Sequence, residues 1–213
     1  MNAIKDRFLG LLKNSGEDGL PAQDDEFRFY EMTEGQTASS SDPARWLVRS
    51  QAIQAAEIPT GPALSRLTAL WEADPIMASM SARAVERLGP LLNFYSVPAQ
   101  REIIQQDEVG DFMLVLLRGA VSVVRQQDNG DNLVLANVGP GEILGEMSLL
   151  DGGPRFSTCI TQSECEIAVI TTEHLEQAIN AEPHITARLI AALARKLSLR
   201  LRVVSIRLGG RQH

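Results

Sequence analysis

Between Asn93 and Thr172 the chain is built from seven short apolar or β-branched runs: NFYSV, REIIQ, FMLVLLRG, AVSVVRQ, NLVLANV, STCITQ and CEIAVITT. Brief turn-forming stretches separate most of them. DEVGD, RGA, DNGD, GPGE and DGGP supply the Gly, Asn, Asp and Pro that reverse a chain. Gaps this short leave no room for the crossover helices that parallel strands need. Strands so spaced form a sandwich or barrel rather than βαβ units. The Asn129-Gly130 pair suits a tight hairpin. The fold class predicted is α+β: an antiparallel β-roll, a jelly-roll-like double-stranded barrel, from about Phe94 to Thr171 and flanked by helices.

Helical periodicity governs the rest. Residues 2–13 place Ile4, Phe8, Leu11 and Leu12 near one face. Residues 14–42 are rich in Ser, Gly, Asp, Glu and Gln and read as an acidic flexible linker. Asp42-Pro43 is a helix start, with the helix running to about Ile58. A second helix is expected from Pro62 to about Ala73, and a third after the cap residue Ser81. Beyond Thr172, TEHLEQAIN reads as one helix and the stretch from Glu182 to Gly209-Gly210 as a longer one. The division predicted is 1–42, an N-terminal helix and linker; 43–80, a helical extension; and 81–213, the β-roll with its long terminal helix. On that last helix Ile190, Ala194, Leu197, Leu201, Val204 and Leu208 recur at intervals of 4, 3, 4, 3 and 4. That seam suits a homodimer, and packing on the chain's own core is the alternative.

Composition narrows the function. A formal charge of −7 argues against general nucleic-acid affinity. The seven basic residues after Pro183, with no acid among them, read as a solvated helix face, or as a contact with an anionic partner or with the chain's own acidic half. No apolar stretch is long enough for a membrane span. The N-terminus lacks a secretory cleavage pattern and two cysteines make no disulfide framework, so a cytoplasmic protein is expected. All three histidines, His174, His184 and His213, lie after the strands, which speaks against a metal-binding barrel. Cys159 and Cys165 read as small core residues. Ser148 and Ser157 have no nearby histidine to activate them, so no catalytic residue and no enzyme is predicted.

One connection stands out: GEMSLLDGGPRFST, Gly145 to Thr158, with Glu146 just after a glycine and Arg155 nine residues later. GEMSLL can make one helical turn whose free N–H groups favour an anion. Gly145 permits close approach to the backbone, and Arg155 offers a fork suited to a phosphate. Glu146 repels phosphate but accepts from a hydroxyl. Together they describe a sugar phosphate site. A plain Glu146–Arg155 ion pair across the turn explains the spacing equally well.

From about Ser81 to about Leu201 the chain resembles the cyclic nucleotide-binding domain of kinase regulatory subunits, gated channels and the catabolite activator family. GEILGEMSLLDGGPRFST is similar to that family's phosphate-binding cassette, and REIIQQDEVGDFMLVLLRGAVSVV to its second to fourth strands, with Gly110 and Gly119 at turns. The resemblance implies that Glu146 accepts the ribose 2′-hydroxyl and Arg155 binds the cyclic phosphate. Gly145 and the backbone N–H groups of Met147, Ser148, Phe156 and Ser157 would line the site. It implies a cyclic AMP sensor without a cofactor that moves its terminal helices. The alternatives are a degenerate pocket serving as an interaction protein, or another ligand such as cyclic di-GMP. The activator family continues into a DNA-binding domain. Here the chain ends at His213, so the expected output is a protein partner acting through residues 1–92, not DNA. Three positions depart from the pattern: Gln106-Asp107-Glu108 in a turn, Leu144 where an aromatic residue is frequent, and Phe156 where a small residue is usual. Strand alternation points Phe156 away from Arg155 and into the core; a ring held over the phosphate instead would obstruct the site.

Overall fold

The computed structural model describes residues 45–127 and 129–209. The expected helix at 2–13, the linker 14–42 and the helix start at Asp42-Pro43 lie outside them. Helix α1 (Arg45–Ala52) is followed by strand β1 (Ala56–Glu57), helix α2 (Thr60–Ala73) and helix α3 (Ala82–Leu88). The roll consists of β2 (Asn93–Val97), β3 (Glu102–Ile104), β4 (Phe112–Arg118), β5 (Val121–Gln126), β6 (Asn132–Val138), β7 (Ile143–Leu144), β8 (Thr158–Thr161) and β9 (Cys165–Thr171). Helix α4 (Glu146–Asp151) sits between β7 and β8, and α5 (Thr172–Ala181) and α6 (Pro183–Gly209) close the described chain.

The strands form two antiparallel sheets, ordered β1-β2-β9-β4-β7 and β3-β8-β5-β6. The β-roll expected from the strand spacing is thus the fold, flanked by helices. Strand period decides where the core lies. On β4, Phe112, Leu114 and Leu116 point into the roll with Val97, Ile103, Val121 and Ile167. Met113, Val115 and Leu117 point to the opposite face, where they meet Leu67 and Trp71 of α2, Val85 and Leu88 of α3 and Leu189 and Leu193 of α6. A strand buried on both faces must be apolar throughout, which is why FMLVLLR shows no alternation. Cys159 and Cys165 are free, buried thiols of the inner cluster. Burial pushes the Cys159 thiol up to about 12.

Two local expectations give way. The first helix stops at Ala52 rather than Ile58. Gln54 takes φ 59°, and Ala55 N–H donates back to Ser50 O at 2.8 Å. Ala56 and Glu57 then pair with Ser96 and Tyr95 of β2. Sheet pairing overrides the helix propensity of that stretch. Strand β7 directly follows the GPGE turn, where no strand is expected, and is held by pairing of Leu144 with Leu114 and Ile143 with Val115. Ser81 caps α3 as expected, accepting from Ala84 N–H at 3.3 Å. Among the described residues no helix is long and apolar enough to cross a membrane.

Glu166 of β9 ties α2 to the roll by pairing with both Arg66 and Arg118. Leu67 of α2 is fully buried in the cluster that the roll's outer face shares. Leu67→Ala should therefore lower stability by about 2–5 kcal/mol. Chemical denaturation followed by circular dichroism should show helix and sheet lost in a single transition; separate transitions would contradict a shared core.

Candidate functional site

The connection from Gly145 to Thr158 crosses from the edge strand β7 of one sheet to β8 of the other. Gly145 holds φ 78°, a left-handed conformation in which a side chain is strained, and Gly152 closes α4 with φ 72°. Gly152 N–H donates to Ser148 O at 2.9 Å. Beyond Pro154 the chain is tied to the β3–β4 turn. Arg155 N–H donates to Glu108 O at 2.7 Å, and Asp107 N–H donates to Arg155 O at 2.9 Å.

Both charged residues of the connection are buried, Glu146 at 6% and Arg155 at 3% exposure. They do not pair with each other. Arg155 Nη1 donates to Gly145 O at 2.8 Å and Nη2 to Phe112 O at 2.7 Å. Its Cζ lies 4.4 Å from the Phe112 ring centroid, a cation–π contact. Burial lowers the Arg155 pKa, while Asp111 and Glu108 act in the opposite sense. Gly110, read as a turn glycine, has another purpose: a Cβ there would overlap the Arg155 guanidinium.

Glu146 meets a residue that no local pattern singled out. Arg200, from the middle of α6, donates through Nη1 to Glu146 Oε1 at 2.5 Å. It also reaches Glu142 at 2.9 Å and Ile143 O at 3.3 Å. Burial raises the Glu146 pKa, and the charge of Arg200 opposes it. Four residues earlier on the same helix, Lys196 pairs with Asp74 at 2.5 Å. Burial acts to raise Asp74, but Lys196 and the N–H groups of Met77 and Ile76 outweigh it and hold the carboxyl low.

The remaining site residues divide by burial. Ser148 is buried and Met147 exposed. Ser157 is half-buried. Phe156 is not in the core: the ring is 53% exposed, with Arg125 Cζ 4.4 Å from its centroid and Arg125 Nη1 bonded to Phe156 O. The alternation argument fails because Phe156 precedes β8, which begins at Thr158. Among the described residues no group of His, Cys, Asp and Glu could hold a metal ion.

Two variants probe this arrangement. Because the folded-state pKa of Glu146 is raised above its ordinary 4.5, the folded protein holds more protons than the unfolded chain in the window between those values. Stability should therefore fall as pH rises through that window. Melting temperatures from about pH 4 to about pH 8 should show Glu146→Gln removing this fall. Parallel pH profiles for variant and wild type would contradict it. Gly110→Ala should dislodge Arg155 and destabilise the protein by about 1–3 kcal/mol.

Comparison with known proteins finds relatives of the roll. Residues 95–182 match the family described as Cyclic nucleotide-binding domain. The chain is 32% identical over 136 residues to the cAMP-activated global transcriptional regulator CRP of Haemophilus influenzae, covering 60% of this chain and 60% of that protein. The chain thus spans less than two thirds of the length of that relative. A cyclic nucleotide-binding domain from Methylobacillus flagellatus KT superposes with a TM-score of 0.66 at 23% identity, covering 75% of this chain and 89% of that one. The c-di-GMP responsive global regulator CLP of Xanthomonas campestris does so with 0.54 at 26% identity, covering 61% and 63%. Residues 95–182 are therefore similar in sequence to the cyclic nucleotide-binding domain, and the roll around them has that domain's fold.

Proposed function

We propose that this chain is a cyclic nucleotide sensor, most simply for cyclic AMP, that signals through movement of α6. The observation that carries the reading is the pair of buried, oppositely charged side chains, Glu146 and Arg155, on one strand-to-strand connection without an ion pair between them. A cyclic phosphate would take the Arg155 fork from the carbonyls of Gly145 and Phe112. Gly145 leaves the backbone open to it, and the N–H groups of Met147, Ser148, Phe156 and Ser157 stand on the same connection. A ribose hydroxyl would donate to Glu146. The match to cyclic nucleotide-binding domains and the relative named as cAMP-activated support this ligand class.

Arg200 makes the site a sensor in this reading. It holds α6 against Glu146 and Glu142, so a hydroxyl donating to Glu146 competes with it. Ligand binding then weakens one of the two anchors of α6, while Lys196–Asp74 remains. A ligand shifts the helix only by its differential affinity for the two arrangements. We place the protein in the cytoplasm, as a regulator rather than an enzyme. It would act on a protein partner through residues 1–92 and not on DNA. The division into 1–42, 43–80 and 81–213 goes with that assignment of roles.

A second reading has its own observation: both terminal nitrogens of Arg155 already have acceptors, and Phe156 stands on the surface. A fold kept as an interaction module, or one taking cyclic di-GMP, fits that. Calorimetric titration with cyclic AMP, cyclic GMP and cyclic di-GMP decides. Cyclic AMP should bind, and Arg155→Ala should weaken it by about 2–4 kcal/mol. Unchanged affinity in that variant would sink the assignment of the connection as a phosphate site.

The seam on α6 supports a homodimer. Leu201 and Val204 are 67% and 50% exposed in the single chain, and Leu199, Val203 and Ile206 are also open. Leu208 has no described side chain. Light scattering of the wild type should report a dimer at tens of micromolar, roughly the range in which a modest helical interface holds. Leu197→Asp with Leu201→Asp should give a monomer, since two charges would be buried in the seam.

A further inference from the structure

We propose that α1 is a positioning element for Arg155, with Trp46 and Arg49 as its contact residues, so that the placement of α1 is coupled to the ligand site. The proposal rests on the cyclic nucleotide reading for its consequence and on the geometry of α1 alone for its existence.

Helix α1 belongs to the helical extension, yet its buried residues do not join the cluster that α2, α3 and α6 share. Trp46, and Ile53 just past the helix, join the interior of the roll. The Trp46 ring meets the Phe112 ring edge-on at 4.9 Å and 64°, and Tyr95 of β2 at 5.1 Å. Phe112 is the residue on which Arg155 rests: its ring takes the guanidinium and its carbonyl accepts from Nη2. Trp46, Phe112 and Arg155 are therefore one continuous stack.

Arg49 closes the same path from the backbone side. It pairs with Glu108 and reaches Glu102 O at 3.4 Å and Gln105 Oε1 at 3.5 Å. All three partners lie on β3 and the turn after it. That turn holds Arg155 in place through Glu108 O and Asp107 N–H. One short helix thus grips both the ring under the guanidinium and the turn beside it. The indole N–H of Trp46 has no acceptor among the described residues. Packing alone places the ring, and it moves when Phe112 moves.

A displacement of α1 would shift Phe112 and the turn together, and Arg155 rests on both. Coupling of this kind is reciprocal: what α1 does to ligand affinity, ligand does to α1. A partner that displaces α1 would tune the affinity, and ligand would tune the grip on that partner.

Fluorine NMR of the full chain labelled with 5-fluorotryptophan tests this. The sequence holds two tryptophans, and Trp46→Phe assigns the resonances. Trp71 lies in the other cluster and serves as the internal control. In the absence of nucleotide, Arg155→Ala should shift the Trp46 resonance and leave that of Trp71 in place. Arg155→Lys serves the same end if the alanine variant does not fold, since an ammonium cannot fork to both carbonyls. Saturating cyclic AMP should also shift Trp46, and Arg49→Gln should weaken cyclic AMP binding by about 5-fold or more with the Trp71 resonance unchanged. A Trp46 resonance that ignores Arg155 substitution overturns the proposal, as does unaltered affinity in Arg49→Gln. If no cyclic nucleotide binds the wild type, the functional reading fails instead, and the nucleotide-free arm alone decides the coupling.

Discussion

A guanidinium cannot lie inside a β-roll without acceptors, and Arg155 shapes its surroundings to that requirement. The carbonyls of Gly145 and Phe112 accept from it, and the Phe112 ring faces its charge. Each of these needs something further. Gly145 must adopt the left-handed conformation that turns the chain into α4. Gly110 must have no side chain, or the guanidinium has no room. The β3–β4 turn must lie alongside, because Glu108 O and Asp107 N–H hold the Arg155 backbone. Burial disfavours the charge, so a loss of any acceptor leaves an ion with a desolvation cost that nothing offsets.

The same logic governs the acid. Glu146 is buried and far enough from Arg155 to need its own cation, and α6 provides it. The helix is thus placed by ions at two points, Asp74 for Lys196 and Glu146 for Arg200, above the apolar contacts of Leu189 and Leu193. Beyond Arg200 its apolar residues are open. The helix is anchored where it passes Glu146, and beyond it Leu201, Val203, Val204 and Ile206 are exposed.

The strand run from Asn93 to Thr171 was legible because turns and β-branched residues are local signals. So was the core role of Cys159 and Cys165. Glu146 and Arg155 were legible as a pair of interest, while their burial emerged only from the fold. Their partners were not. Arg200 stood among seven basic residues that read as a solvated face or as a contact with an anionic partner or the chain's own acidic half, and no local pattern spans the offset of 54 that would name Glu146. Gly110 read as a turn residue, although its glycine identity answers to a side chain 45 positions away, again a distance that no window spans. Phe156 was misplaced because period-2 alternation was applied one step outside the strand it describes.

The amino-acid order by itself determined most of the strands and helices, and which connection carries the acid and the base. These follow from propensity, periodicity and turn chemistry, all of which act within a few residues. Only the tertiary structure decided what the charges meet. Ion pairing and burial depend on distance in space: Arg200 finds Glu146, Arg155 finds two carbonyls and a ring, and Trp46 reaches into the roll from outside it. Strand β4 is buried on both faces, in keeping with its unbroken apolar run. Where a charge is buried, the identity of its partner came from packing alone, since any of the chain's remaining cations or carbonyls could have answered the same need.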